Sequence, residues 1–173
     1  MKRSWLSIML VFWASYYVLA DNTVYISLFD PVSQSRIELG EKADSIIKIL
    51  GCPLEKVHVN KDQIGEPAIY DIFYEGVVFQ YSDETNRIDW IRVLSDRFVV
   101  DGKVRVGDSL KKSKSLYALD NLIYGSISES NETFISISTR LPSTSVWKKT
   151  EQVIYFFYRN DTIYRIELVL YDM

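Results

Sequence analysis

The sequence holds one histidine and one cysteine, so any proton relay or thiol nucleophile must be built on His58 or Cys52. His58 sits in Val57-His58-Val59, an alternation that reads as a strand, where a surface or half-buried structural histidine is expected rather than a general base. Cys52 lies between Gly51 and Pro53. A reactive thiol wants a helix N-terminus or a basic neighbour, and this one follows a helix C-terminus, so it reads as a small packed residue. Asp83, Glu84 and Asp89 form an acidic cluster, but their spacing lacks the alternating oxygen ligands and central glycine of a calcium loop. A solvated hairpin turn accounts for them. There is no Cys/His cluster for zinc, and the scattered glycines form neither a phosphate loop nor a dinucleotide fingerprint. No catalytic residue, metal ligand or cofactor is therefore assigned. Asn131-Glu-Thr133 and Asn160-Asp-Thr162 match the glycosylation pattern, which matters only in a eukaryotic secretory route.

What remains is aromatic: 4 Trp, 12 Tyr and 8 Phe. Phe79, Tyr81 and Phe156 are expected in the core. Trp90, Tyr155 and Phe157, with Arg92 and Arg165 among them, fall on alternate strand positions that point away from the core and would stud an uncovered sheet face. These residue types supply interface hot spots, because they bury large areas while keeping a polar handle. The rival reading is an internal interface that hides them within the monomer.

The elements that position these residues follow from an internal echo. "IELGEKADSIIKILG" at 37–51 returns as "VRVGDSLKKSKSLYA" at 104–118, each with alternating apolar residues, a glycine followed by an acid, then a helical pattern. Ala43, Ile46, Ile47 and Leu50 share one helix face; Gly51 and Pro53 end that helix. In the second copy Asp108 or Ser109 is the expected N-cap, before a weaker stripe of Leu110, Lys114 and Tyr117. "FQYSDETNRIDWIRV" then aligns without a gap on "IYFFYRNDTIYRIEL", each read as two strands joined by a polar turn, with further strands expected over 68–74 and 133–139. The spacing Ile88, Ile91, Val93 recurs as Ile163, Ile166, Leu168, and its gap of three predicts a β-bulge at the same place in both copies. The expectation is an α+β fold of two tandem repeats, each a helical segment packed on a small antiparallel sheet. Its bounds are a signal peptide over 1–20, an N-terminal lead-in over 21–35, a first repeat over 36–101 and a second over 102–173.

Lys2 and Arg3 precede an apolar run that ends at Ala20 before Asp21, the order of a secretory signal peptide; an uncleaved membrane anchor is the competing reading. The protein is thus expected to be secreted or periplasmic, with membrane contact only through that segment if it is retained. Removing Lys2 and Arg3 from 20 basic residues leaves 18 against 23 acidic ones, a formal charge of −5. That charge argues against a nucleic-acid partner. A lone cysteine cannot form an internal disulfide, so packing must hold the fold.

The phrase Gly-acid, amphipathic helix, Leu-Gly-x-Pro ("LGEKADSIIKILGCP") followed by Tyr/Phe-rich strands resembles the small module of the SmpA/OmlA outer-membrane lipoproteins. Its tandem duplication is similar to the β-lactamase inhibitor protein (BLIP-like) fold, in which two such modules place their sheets side by side. The second copy lacks the closing Gly-x-Pro, the lipidated cysteine of the lipoproteins is missing, and one cysteine cannot supply the inhibitor's disulfides. The resemblance implies a non-catalytic, extracytoplasmic binding protein whose partner is another extracytoplasmic protein. Two alternatives stay open: a self-associating structural envelope protein, and a hydrolytic enzyme.

Overall fold

The computed structural model describes residues 26–60, 65–117, 122–127, 132–140 and 150–172; the proposed signal segment and Asn131 lie outside them. In chain order the elements are β1 (Ser27–Asp30), β2 (Ser35–Glu38), α1 (Ala43–Leu50), β3 (Glu55–His58), β4 (Ile69–Tyr74), β5 (Val77–Ser82), β6 (Ile88–Val93), β7 (Val99–Val100), α2 (Leu110–Ser115), β8 (Leu122–Ile127), β9 (Glu132–Arg140), β10 (Thr150–Arg159) and β11 (Thr162–Asp172). The expected α+β fold of two helix-on-sheet repeats is not what forms. Among the described residues the chain is mostly β, with two helices of eight and six residues. Its strands build two antiparallel sheets, one of three strands ordered β2-β1-β7 and one of eight ordered β3-β4-β5-β6-β11-β10-β9-β8. The reason lies at the middle of the large sheet. A four-stranded unit would leave β6 and β11 with unpaired backbone edges. Here they pair with each other, Arg92 opposite Glu167 and Ile91 opposite Leu168.

The echoed phrases nevertheless occupy matching settings. At each, a left-handed glycine, Gly40 (φ 89°) or Gly107 (φ 92°), lets the chain turn where a Cβ would be strained. Gly40 N donates to Ile88 O at 2.7 Å and Ile88 N to Glu41 O at 2.8 Å; Gly107 N donates to Ile163 O at 2.8 Å and Ile163 N to Asp108 O at 3.0 Å. Each turn thus clips a short helix to the start of a bulged strand. The bulges fall where the spacing placed them. Opposite Gln80–Tyr81, β6 carries an extra Asp89, and opposite Phe157–Tyr158, β11 carries an extra Tyr164. The extra residue restores phase, so Ile88, Ile91 and Val93, like Ile163, Ile166 and Leu168, all end on one face at 0% exposure.

That face carries the core. It packs on Ala43 and Ile46 of α1, Leu110 of α2, and Leu28 and Ile37 of the small sheet. Each large aliphatic side chain so buried stabilises the fold by about 1.5–3 kcal/mol. α1 ends at Gly51, as its sequence predicts, and Ser109 caps α2, its Oγ accepting from Lys112 N at 3.2 Å. Phe79, Phe156 and Tyr81 are buried as expected.

Two polar ties fix the small sheet. Gln152, fully buried on the core face of β10, accepts from Ile26 N at 2.6 Å through Oε1. Asp30 is fully buried at the end of β1 and takes both Arg97 Nε (3.1 Å) and Arg97 Nη2 (2.6 Å). The Arg97 fork, aided by Val32 N–H and Ser33 Oγ–H, holds the Asp30 carboxyl down at about 2 against the opposing effect of burial.

Candidate functional site: the second face of the large sheet

Strand alternation puts a different population on the other side of the eight-stranded sheet. Cross-strand register arranges it in rows. One runs Val78–Arg92–Glu167–Tyr155–Ser136 from β5 to β9; the next runs Gln80–Trp90–Val169–Val153; a third runs Arg165–Phe157–Phe134–Gly125 toward β8. All five sequence-predicted residues, Trp90, Arg92, Tyr155, Phe157 and Arg165, lie in these rows, and none belongs to the core cluster.

The face is less bare than the sequence implies. Phe157 is only 2% exposed, because the Arg165 guanidinium lies 3.8 Å above its ring centroid and Phe134 and Tyr155 flank it at 5.7 and 6.5 Å. Trp90 and Tyr155 are half-buried, and Trp90 carries the Arg92 guanidinium 4.5 Å from its centroid. Long side chains have lain down on one another, with the guanidiniums on the negative faces of the rings.

A hub missing from the predicted site explains that order. Glu167 is 8% exposed; its Oε1 accepts from Arg92 Nε at 3.1 Å and lies 3.0 Å from Arg165 Nε. Arg165 also donates through Nη2 to Glu132 Oε2 at 2.9 Å, and Tyr164, the bulge residue, donates its hydroxyl to Glu132 Oε1 at 2.8 Å. Two arginines thus face two carboxylates. Burial and the Glu132 bond raise the Tyr164 hydroxyl pKa; burial and the Tyr171 hydroxyl 3.0 Å away raise that of Tyr155. Both phenols stay neutral.

Beside this network the face sinks into a pocket of about 320 Å³ walled by the rings of Trp90, Phe134, Tyr155, Phe157 and Tyr171. Val169 and Glu167 complete its lining. Phe134 reaches its place because β8 has a glycine opposite: a Cβ at Gly125 would meet the Phe134 ring inside contact distance. The sequence reading missed Phe134, Val169 and Tyr171. Val169 and Tyr171 continue the alternation of Arg165 along β11, a signal the sequence carries, whereas Phe134 on β9 joins the face only through its pairing with Phe157.

The other candidates lie elsewhere. His58 Nε2 is 3.1 Å from Asn60 Oδ1 and its ring stacks on Tyr70 at 5.1 Å; neither partner is a carboxylate that would orient a general base. Cys52 is exposed, contrary to the packed residue expected, because the chain leaves α1 at Gly51, whose carbonyl accepts from Tyr74 Oη at 2.9 Å, and the thiol turns to solvent. Asp83 and Glu84 occupy the exposed β5–β6 turn. Among the described residues no group of three or more His, Cys, Asp or Glu could hold a metal ion, and no helix is long and apolar enough to cross a membrane. No protein-family model, curated protein or solved structure matches the chain.

Proposed function

We propose that this protein is a non-catalytic binding protein that acts outside the cytoplasm, in the periplasm or after secretion, and engages another extracytoplasmic protein through the second face of its large sheet. The observation that carries the reading is the ring-walled pocket beside the Arg92–Glu167–Arg165 network. Side chains already ordered by their neighbours lose little entropy on binding, and aromatic–arginine clusters are where interface energy concentrates. The signal-peptide pattern supports the compartment, and the acidic mature chain speaks against nucleic acid. A photo-crosslinker placed at Tyr171, 42% exposed at the pocket rim, and another at Leu54, 76% exposed after α1, test it in the native envelope or secreted fraction. A discrete adduct from position 171 alone supports the face; equal labelling from both sites, or none from 171, counts against it.

Self-association is a second reading with one observation in its favour. Among the described residues, the two edge strands of the large sheet differ in how their sequences guard against pairing. β3 is four residues long, follows Pro53 and carries Glu55 and Lys56, whereas β8 reads Leu-Ile-Tyr-Gly-Ser-Ile without charge or proline. Unprotected edges invite strand pairing. Sedimentation of the mature chain decides: a dimer that Ile123→Lys dissociates favours this reading, and a monomer removes it.

A further inference from the structure

The pocket's chemistry selects its occupant more narrowly than "a protein". Apart from Glu167 its walls are rings and a valine, so an occupant gains by leaving water in proportion to its apolar area. Apolar cavities of about 150 Å³ take up benzene; about 320 Å³ accommodates one large side chain with room to orient. Charge then narrows the choice. Five rings beside a carboxylate resemble a cage for a cation, but the cationic positions are filled. Arg92 sits over Trp90 and Arg165 over Phe157, and both pair with Glu167. Arg165 further pairs with Glu132, so within the network two carboxylates answer two guanidiniums, and Glu151, opposite Tyr171, adds negative charge at the rim. An incoming cation meets two guanidiniums, and an incoming anion meets the Glu167 carboxylate and the negative faces of rings.

Resting on the reading above, we propose that this pocket receives one neutral aromatic side chain presented by the protein partner. The ring stacks among Phe134, Tyr155 and Tyr171, and the Tyr155–Tyr171 hydroxyl pair, 3.0 Å apart at the rim, offers a donor and an acceptor to the backbone that carries it. Gly125 is the positioning residue. Any side chain there collides with the Phe134 ring and forces it from the position it holds in the pocket wall.

The test uses the mature chain, with the Trp90 indole N–H signal in NMR as reporter and N-acetyl-phenylalaninamide as probe. A saturable shift with a Kd of about 1 mM is expected of so small a ligand, with tetramethylammonium and benzoate at least about ten-fold weaker. Gly125→Ala is expected to weaken the probe about five-fold or more, and Val169→Phe, which fills the pocket from β11, does the same should Gly125→Ala disturb β8. Any of four results overturns the proposal: no saturation, tetramethylammonium or benzoate binding as tightly as the amide, both variants leaving its affinity unchanged, or phosphatidylcholine vesicles or a second copy of the chain taking the pocket in its place. The outcome is separable from the broader reading. Crosslinking at Tyr171 that N-acetyl-phenylalaninamide cannot compete sinks the pocket alone, while probe binding without a crosslinked partner sinks the protein-partner function alone.

Discussion

The two faces of the eight-stranded sheet are made by the same strands, residue by alternating residue, yet they solve different problems. Toward the helices and the small sheet stand Phe79, Ile91, Ile154, Phe156, Ile166 and Leu168, at 0–1% exposure. Toward the other side stand Trp90, Arg92, Tyr155, Phe157, Arg165 and Glu167, in which rings are interleaved with charges. Apart from the Gln152 tie, the first face is stabilised by burial, which is non-directional and tolerates little lost volume. The second is held by directional contacts between side chains that lie along the surface. A face built that way keeps its shape through its own side-chain contacts, as the proposed binding role requires.

Substitutions that break the comparison should therefore differ in kind. Phe156→Ala on the core face is expected to cost about 3–5 kcal/mol through the cavity left between β10 and Tyr117, read as a fall in the midpoint of chemical unfolding. Arg97→Ala comes next, at about 3 kcal/mol, because the Asp30 carboxylate stays fully buried with only Val32 N–H and Ser33 Oγ–H to meet it. The same pair sets an acid limit. The Asp30 pKa falls from 3.8 unfolded to about 2 folded, so its contribution of about 2 kcal/mol is complete above the unfolded value. It is lost as pH falls through the folded one, between about pH 4 and 2. Unfolding midpoints across that window should decline in the native chain and stay flatter in Asp30→Asn.

On the second face the expected costs are smaller. Glu167→Gln removes the charge shared by Arg92 and Arg165, both of which keep some access to solvent. The loss is expected to be about 1–2 kcal/mol, with a raised sensitivity of partner binding to salt. Tyr171→Phe, which deletes one hydroxyl of an exposed pair, should change stability by less than about 0.5 kcal/mol. An effect as large as that of Phe156→Ala would mean that the second face is a core by another name.

Local elements were legible where one stretch of chain fixes them. α1 follows from Ala43, Ile46 and Leu50 and the stop at Gly51, but Ile47, expected on the same face, is 40% exposed, and Ile49 packs on the core in its place. The bulges at Asp89 and Tyr164 follow from isoleucines three apart on strands that must keep one face buried. What the sequence hid depends on distant partners. That β6 pairs with β11 decides between two small sheets and one large one, and no residue in either strand encodes it locally. β7 is two residues, Val99–Val100, and means nothing as a strand until β1 arrives beside it. Asp30 and Arg97 are 67 positions apart, and neither looks unusual alone. The candidate face was half legible: alternation assigned Trp90, Tyr155 and Phe157 to the right side. It could not tell that Arg165 would cover Phe157, that Glu167 would bind both arginines, or that Gly125 would make room for Phe134.

The most direct test of a binding face is to separate binding from stability at its centre. Trp90→Ala and Tyr155→Ala, each compared with the native chain for affinity toward the partner crosslinked at Tyr171 and for its unfolding midpoint, should lose about 2 kcal/mol or more of binding, roughly thirty-fold in Kd, while the midpoint moves little. Affinity that survives both substitutions, or that falls only in step with the folded fraction, contradicts the account.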